Sequence, residues 1–148
     1  MTRSTVTRPR GTTTAQQLQE VVAASEGEVV LRRDLKGYAS PSQLSRALRQ
    51  LMEDGKLVRI GSGVYAKARP SSLSGRPVPR QTLAVLAAET FDRLGIAWEL
   101  GEAQRLYRDG LTTQIPWRTT FDTGHRRISR RLRVGQRVVN YENKAQSR

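Results

Sequence analysis

The side chains best suited to chemistry lie close together: Ser42, Gln43, Ser45, Arg46, Arg49 and Gln50. Their chemistry is recognition. Arginine can bond guanine O6 and N7 together, glutamine suits adenine, and serine serves either. Arg59, Ser62 and Lys67 follow at a spacing that would clamp a phosphate backbone, and Arg32 and Arg33 precede the set as phosphate candidates. A polar face that is merely solvated is the competing account. Basic residues recurring through a cationic chain favour nucleic acid.

A second basic cluster lies further on. His125, Arg126, Arg127, Arg130, Arg131 and Arg133 crowd one predicted hairpin, with Arg118 and Arg137 on flanking strands. Alternation puts Arg127, Ser129, Arg131 and Arg133 on one face and Ile128, Leu132 and Val134 on the other, where Arg130 is a misfit. Arginines along one strand face can lie along phosphates, giving affinity that falls steeply with salt. An acidic protein partner or simple solubility would use the same charge. Trp117, Phe121 and Tyr141 could stack on bases. The scarcity of other large apolar residues nearby favours core.

Catalysis finds little support. His125 is the only histidine and there is no cysteine, so a zinc site would need three carboxylates. Gly61-Ser62-Gly63 reads as a turn rather than a phosphate loop, because no helix follows it. Asp92, Glu99, Glu102 and Asp109 are irregularly spaced and read as surface charge rather than a nuclease cluster. The expectation is a protein that is not an enzyme and has no cofactor or metal.

The elements that must carry these residues can be read from periodicity. Thr14–Ala24 is predicted as a helix, with Leu18, Val21 and Val22 inward and an N-cap in Thr12–Thr14. Val29–Leu31 is a short strand, and Arg32–Gly37 one or two turns of a second helix. Ser40-Pro41-Ser42-Gln43 is a strong start for a third helix, reaching Asp54: a cap, a proline at the first position and a capping box. Leu44, Ala47, Leu48, Leu51 and Met52 form its buried stripe, so the polar set above falls opposite. Leu57–Ile60 and Val64–Ala68 make a hairpin around Gly61–Gly63. This order reads as a winged helix-turn-helix, whose recognition helix enters the major groove by its N-terminal end.

A second unit follows. Leu83–Leu94 is a helix with Leu83, Leu86, Ala87, Thr90, Phe91 and Leu94 on one face, and Glu102–Tyr107 a shorter one. Ile115–Phe121, Arg127–Val134 and Arg137–Tyr141 read as strands of a small antiparallel sheet. The expected organisation is α+β: a disordered basic arm over 1–13, the winged helix over 14–69, a linker over 70–81, a small α+β domain over 82–142 and a tail over 143–148.

Composition bounds the rest. The 148 residues carry 26 Lys+Arg against 13 Asp+Glu, a net charge of +13, which points to a polyanionic partner. The excess is spread over both halves, and arginine far outnumbers lysine, as bidentate contact favours and as GC-rich coding alone would also produce. The absence of cysteine excludes a disulfide framework. No apolar run approaches a membrane span, so a soluble, cytoplasmic protein is expected.

Two runs carry a family resemblance. Gly27–Leu35 together with Leu48–Tyr65, whose core is L-x-x-L-x-x-x-G-K-L-x-R-I-x-x-G-x-Y, resembles the N-terminal domain of AbiEi-type antitoxins, and Gly110–Pro116 with the basic strands after it resembles their second domain. The resemblance spans roughly residues 14–141 and is stronger in the first half. It implies an autorepressor of a type IV toxin–antitoxin pair, bound to double-stranded DNA at promoter repeats as a homodimer or as monomers side by side. It further implies a second domain that opposes a nucleotidyltransferase-like toxin. The family's basic wing and third-helix positions correspond to Arg46, Arg49, Arg59 and Lys67. Fuller members carry a longer C-terminal domain. Two other readings stand beside it: a protein-interaction antidote or adaptor, and an RNA-binding protein using the arginine hairpin.

Overall fold

The computed structural model describes residues 13–116, 118–124, 128 and 130–142. The arm expected over 1–13, apart from Thr13, and the tail expected over 143–148 lie outside them. The chain is mixed α+β, with two four-stranded sheets among the described residues. It forms two compact units divided between Arg80 and Gln81, with Ile60–Ser62 belonging to the second.

In the first unit, helix α1 (Thr14–Ala24) starts where Thr13 and Gln16 form a reciprocal capping box. Strand β1 (Val29–Leu31) leads into a single 3-10 turn, Arg32–Leu35, in place of the α-helical turns expected to Gly37. Four residues are too few to repay α-helix nucleation, and only Leu35 of the turn is buried. Helix α2 (Pro41–Glu53) is capped at Ser40, with Pro41 at its first position. It buries Leu44, Ala47, Leu48 and Leu51 against Leu18 and Val22 of α1 and Leu57 and Tyr65 of the sheet. Burying each of these leucines contributes roughly 1.5–3 kcal/mol.

Strand β2 (Leu57–Gly61) pairs with β3 (Val64–Pro70), and β3 pairs antiparallel with β1 at Val29↔Ala66 to Leu31↔Val64. The linker expected over 70–81 is not one throughout. Pro77–Pro79 forms strand β4, antiparallel to the end of β3, with Pro79 buried. Lys67 shows how it attaches: its N–H donates to the Glu28 carbonyl (2.9 Å), and its own carbonyl accepts from the Arg80 N–H (3.2 Å). Strands β1 and β4 therefore share one edge of β3, and an Arg80–Glu28 ion pair of 3.1 Å closes the junction. Prolines are admissible there because a short edge strand needs few donors.

The second unit is built on helix α3 (Leu83–Leu94), which buries Leu83, Leu86, Ala87, Thr90 and Phe91 and ends on Gly95 at φ +71°. Then come β5 (Glu99–Leu100), α4 (Glu102–Arg108), β6 (Thr119–Asp122), β7 (Arg133–Val134) and β8 (Arg137–Glu142), in sheet order β5-β6-β8-β7. The expected all-antiparallel sheet is corrected here: β6 and β8 run parallel, Thr119↔Val139 to Asp122↔Glu142. The connection over 123–136 is long enough for the crossover that parallel pairing demands. The strands are also shorter than expected. Ile115 and Pro116 lie outside β6, and among the described residues of the Arg127–Val134 run only Arg133 and Val134 are strand. Phe91 packs edge-on against Phe121 (centroids 5.2 Å) and tilted against Tyr141 (6.0 Å), so Phe121 is interior and half-buried Tyr141 packs its ring against that core; Trp117 lies outside the described residues.

Candidate nucleic-acid interface

Helix α2 sorts its side chains by the 3.6-residue period. Opposite the buried stripe, Ser42, Arg46 and Arg49 stand at i, i+4 and i+7, all exposed. Glu53 extends the same line at i+11 and is also exposed. Arg46 folds back lightly, its Nε 3.5 Å from the Ser42 carbonyl. The face thus presents two guanidiniums and a serine hydroxyl on one side of a capped, well-anchored helix.

The other candidates around α2 have intramolecular work. Gln43 accepts the Ser40 N–H through Oε1 (3.1 Å), while its own N–H donates to Ser40 Oγ (3.3 Å). Ser45 Oγ donates to the Pro41 carbonyl (3.0 Å), and Arg32 Nη2 donates to the same oxygen (2.8 Å). Half-buried Arg32 therefore ties the 3-10 turn to the start of α2. Gln50 donates to Asp54 (2.9 Å). Arg33 lies 3.8 Å from Asp34, both exposed. Lys67 donates Nζ to the carbonyl of Ser25 (2.7 Å), the C-cap of α1, where a cation suits the helix dipole. Arg59 is exposed on β2, and Ser62 is exposed in the β2–β3 turn.

One part of this surface was not anticipated. Thr13 at the N-cap of α1, with Gln16 and Gln19 of the helix, borders a shallow groove of about 530 Å³ whose other wall includes Gln43, Arg46 and Gln50. Gln16 and Gln19 share a helix face at i, i+3, which was visible. Their pairing with α2 depends on how the helices pack.

In the second unit, Arg131 and Arg133 are exposed on either side of fully buried Leu132. Arg130 is half-buried and donates Nη1 to the Ser62 carbonyl (3.0 Å), while its own carbonyl accepts from Tyr141 Oη (2.6 Å). Burial holds the Tyr141 phenol above its ordinary range, against the opposing pull of the Arg130 charge. Exposed Arg118 lends its carbonyl to Gln104 and borders a cleft of about 540 Å³ with Leu106, Ile115 and Asn140. Arg126, Arg127 and His125 lie outside the described residues.

Three of the four carboxylates weighed as a nuclease cluster have other partners. Asp92 accepts from Trp98 Nε1 (2.8 Å), Glu99 pairs with Arg105 (3.7 Å) and Asp109 with Arg108 (3.1 Å). The Glu102 N–H is taken by the Glu142 carboxylate. Among the described residues no three of His, Asp and Glu gather as metal ligands, and no helix is long and apolar enough to cross a membrane.

With this geometry, the chain belongs to the DUF6088 family, a family of unknown function whose model matches residues 16–147. No curated protein matches it.

Proposed function

We propose that the first unit is a winged helix-turn-helix that binds double-stranded DNA, and that the protein is a transcriptional regulator, an antitoxin-like autorepressor acting at promoter repeats. The 3-10 turn, α2 and the β2–β3 hairpin would be the turn, recognition helix and wing. The observation that carries this reading is the exposed Ser42–Arg46–Arg49 line, held opposite a fully buried stripe on a capped helix. A helix so anchored presents its polar side as a rigid unit; its N-terminal half, with Ser42 and Arg46, is the part that meets base edges in this class, and Arg49, one turn along, would reach a base or a phosphate. The charge of +13 supplies the non-specific attraction on which base readout is superimposed.

The test is binding of the full chain to DNA from upstream of its own gene, against a scrambled duplex, by fluorescence anisotropy at fixed salt. Arg46→Gln with Arg49→Gln should weaken binding to the upstream DNA at least tenfold, since each base-reading arginine contributes about 1–3 kcal/mol. The preference over scrambled DNA should shrink with it. Parent-level affinity and preference in that variant would refute the recognition-helix reading.

A further inference from the structure

We propose that Arg131 and Arg133 form a second, sequence-independent DNA contact, a ribbon face that holds the phosphodiester backbone of duplex DNA. The choice of DNA rests on the reading given above; the anion-binding face itself stands on separate observations.

The first is orientation. Leu132 is fully buried, and in extended chain its two neighbours must then point the other way. Both are exposed. The Val139 N–H donates to the Leu132 carbonyl (2.9 Å), so the β7–β8 pairing extends back past Arg133. Arg131 and Arg133 therefore share a face, about 7 Å apart along the chain. The second is rigidity. The Arg130 carbonyl, next to Arg131, is held by Tyr141 Oη at 2.6 Å. The arginine stems thus spring from a fixed backbone, which lowers the ordering cost of a contact.

The third is charge. Arg33, Arg80, Arg105 and Arg108 each have an acidic partner within 4 Å. From Thr123 to Tyr141 the sequence has six arginines and no aspartate or glutamate. A stretch that supplies no counter-charge of its own suits an external anion, and the planar guanidinium fork matches phosphate oxygens in pairs. No aromatic ring flanks Arg131 or Arg133 in sequence to offer a base-stacking platform, so the face fits a backbone better than an unpaired base.

The experiment measures the affinity of the full chain for random-sequence duplex DNA across a salt series. Arg131→Gln with Arg133→Gln should weaken binding equally on every sequence and make the log–log salt slope shallower by about 2, one unit per phosphate lost. Arg131→Lys with Arg133→Lys should restore most of the slope. An unchanged slope in the glutamine variant overturns the proposal. So does a loss confined to one sequence, or duplex RNA of equal length competing better than DNA. The glutamine changes sit at exposed positions, and an unaltered thermal midpoint verifies folding. Random DNA carries no operator, so this result is independent of whether Arg46 and Arg49 read sequence.

Discussion

Tyr141 donates its phenolic hydroxyl to the main-chain carbonyl of Arg130 at 2.6 Å. This bond lies where alternation fails. A regular strand would put Arg130 on the same side as Leu132, the core side, and an arginine there needs partners. It has them: its carbonyl is held by Tyr141 and its guanidinium donates to the Ser62 carbonyl. Arg130 is thus the structural member of the arginine cluster, and it leaves Arg131 and Arg133 facing outward.

Tyr141→Phe removes the hydroxyl and keeps the ring against Phe91. The Arg130 carbonyl then loses a half-buried donor. The expected cost is about 1–2 kcal/mol in urea unfolding, in the range for one hydrogen bond removed from a partly buried acceptor. Affinity for random DNA should fall less than in the Arg131/Arg133 variant, because both cations remain.

The same tyrosine sets an alkaline limit. Its folded-state pKa is raised by burial, so the folded chain holds that proton more tightly than the unfolded chain, whose tyrosine titrates near 10. The associated stability is fully present below pH 10 and is lost as pH rises through the folded value. Unfolding midpoints should therefore drop above pH 10 in the parent and drop less in Tyr141→Phe. Phenolate absorbance should show a late-titrating component that is absent from the variant.

Gln43 separates capping from recognition. Its Oε1 accepts the Ser40 N–H, an acceptor role that a carboxylate fills equally well. Gln43→Ala should lower stability by roughly 0.5–1 kcal/mol, and Ser40→Ala by about 1 kcal/mol. Gln43→Glu should retain stability, with a small gain from the helix dipole. If Gln43 also lies against DNA, the glutamate weakens binding at low salt while the thermal midpoint holds. Thermal melts paired with anisotropy check both halves.

How much could be read from sequence depends on how local each determinant is. Helix α1 spans Thr14–Ala24 as expected, and α2 lies within the expected Ser40–Asp54, because caps act over three residues. The inward faces of α2 and α3 follow directly from periodicity. Strand β4 was hidden because Pro77 and Pro79 look like linker, and only Arg80 and Lys67 meeting in space reveal a sheet edge. The parallel β6–β8 pairing was equally hidden, since alternation is the same for either direction. At the candidate interface, Arg46 and Arg49 were legible from the helix period. The tie of Lys67 to Ser25, 42 residues away, was not.

Gly101 tests the packing beneath the second sheet. It is buried, caps α4, and donates its N–H to the Thr120 carbonyl (2.9 Å). Its φ of −60° is open to any residue, so only space forbids a side chain. An added Cβ would lie 2.8 Å from Thr120 Cβ and 2.9 Å from Gln104 Oε1. The Thr120 Cβ is fixed to its strand and cannot rotate aside. Gly101→Ala should therefore destabilise the chain by about 1–3 kcal/mol, the usual cost of overpacking. Thr120→Gly removes the obstructing carbons at its own cost in strand propensity. Combined in one chain, the two changes should cost less than the sum of their separate effects, a coupling of at least about 0.5 kcal/mol in a double-mutant cycle. Strict additivity would mean that the two residues do not meet.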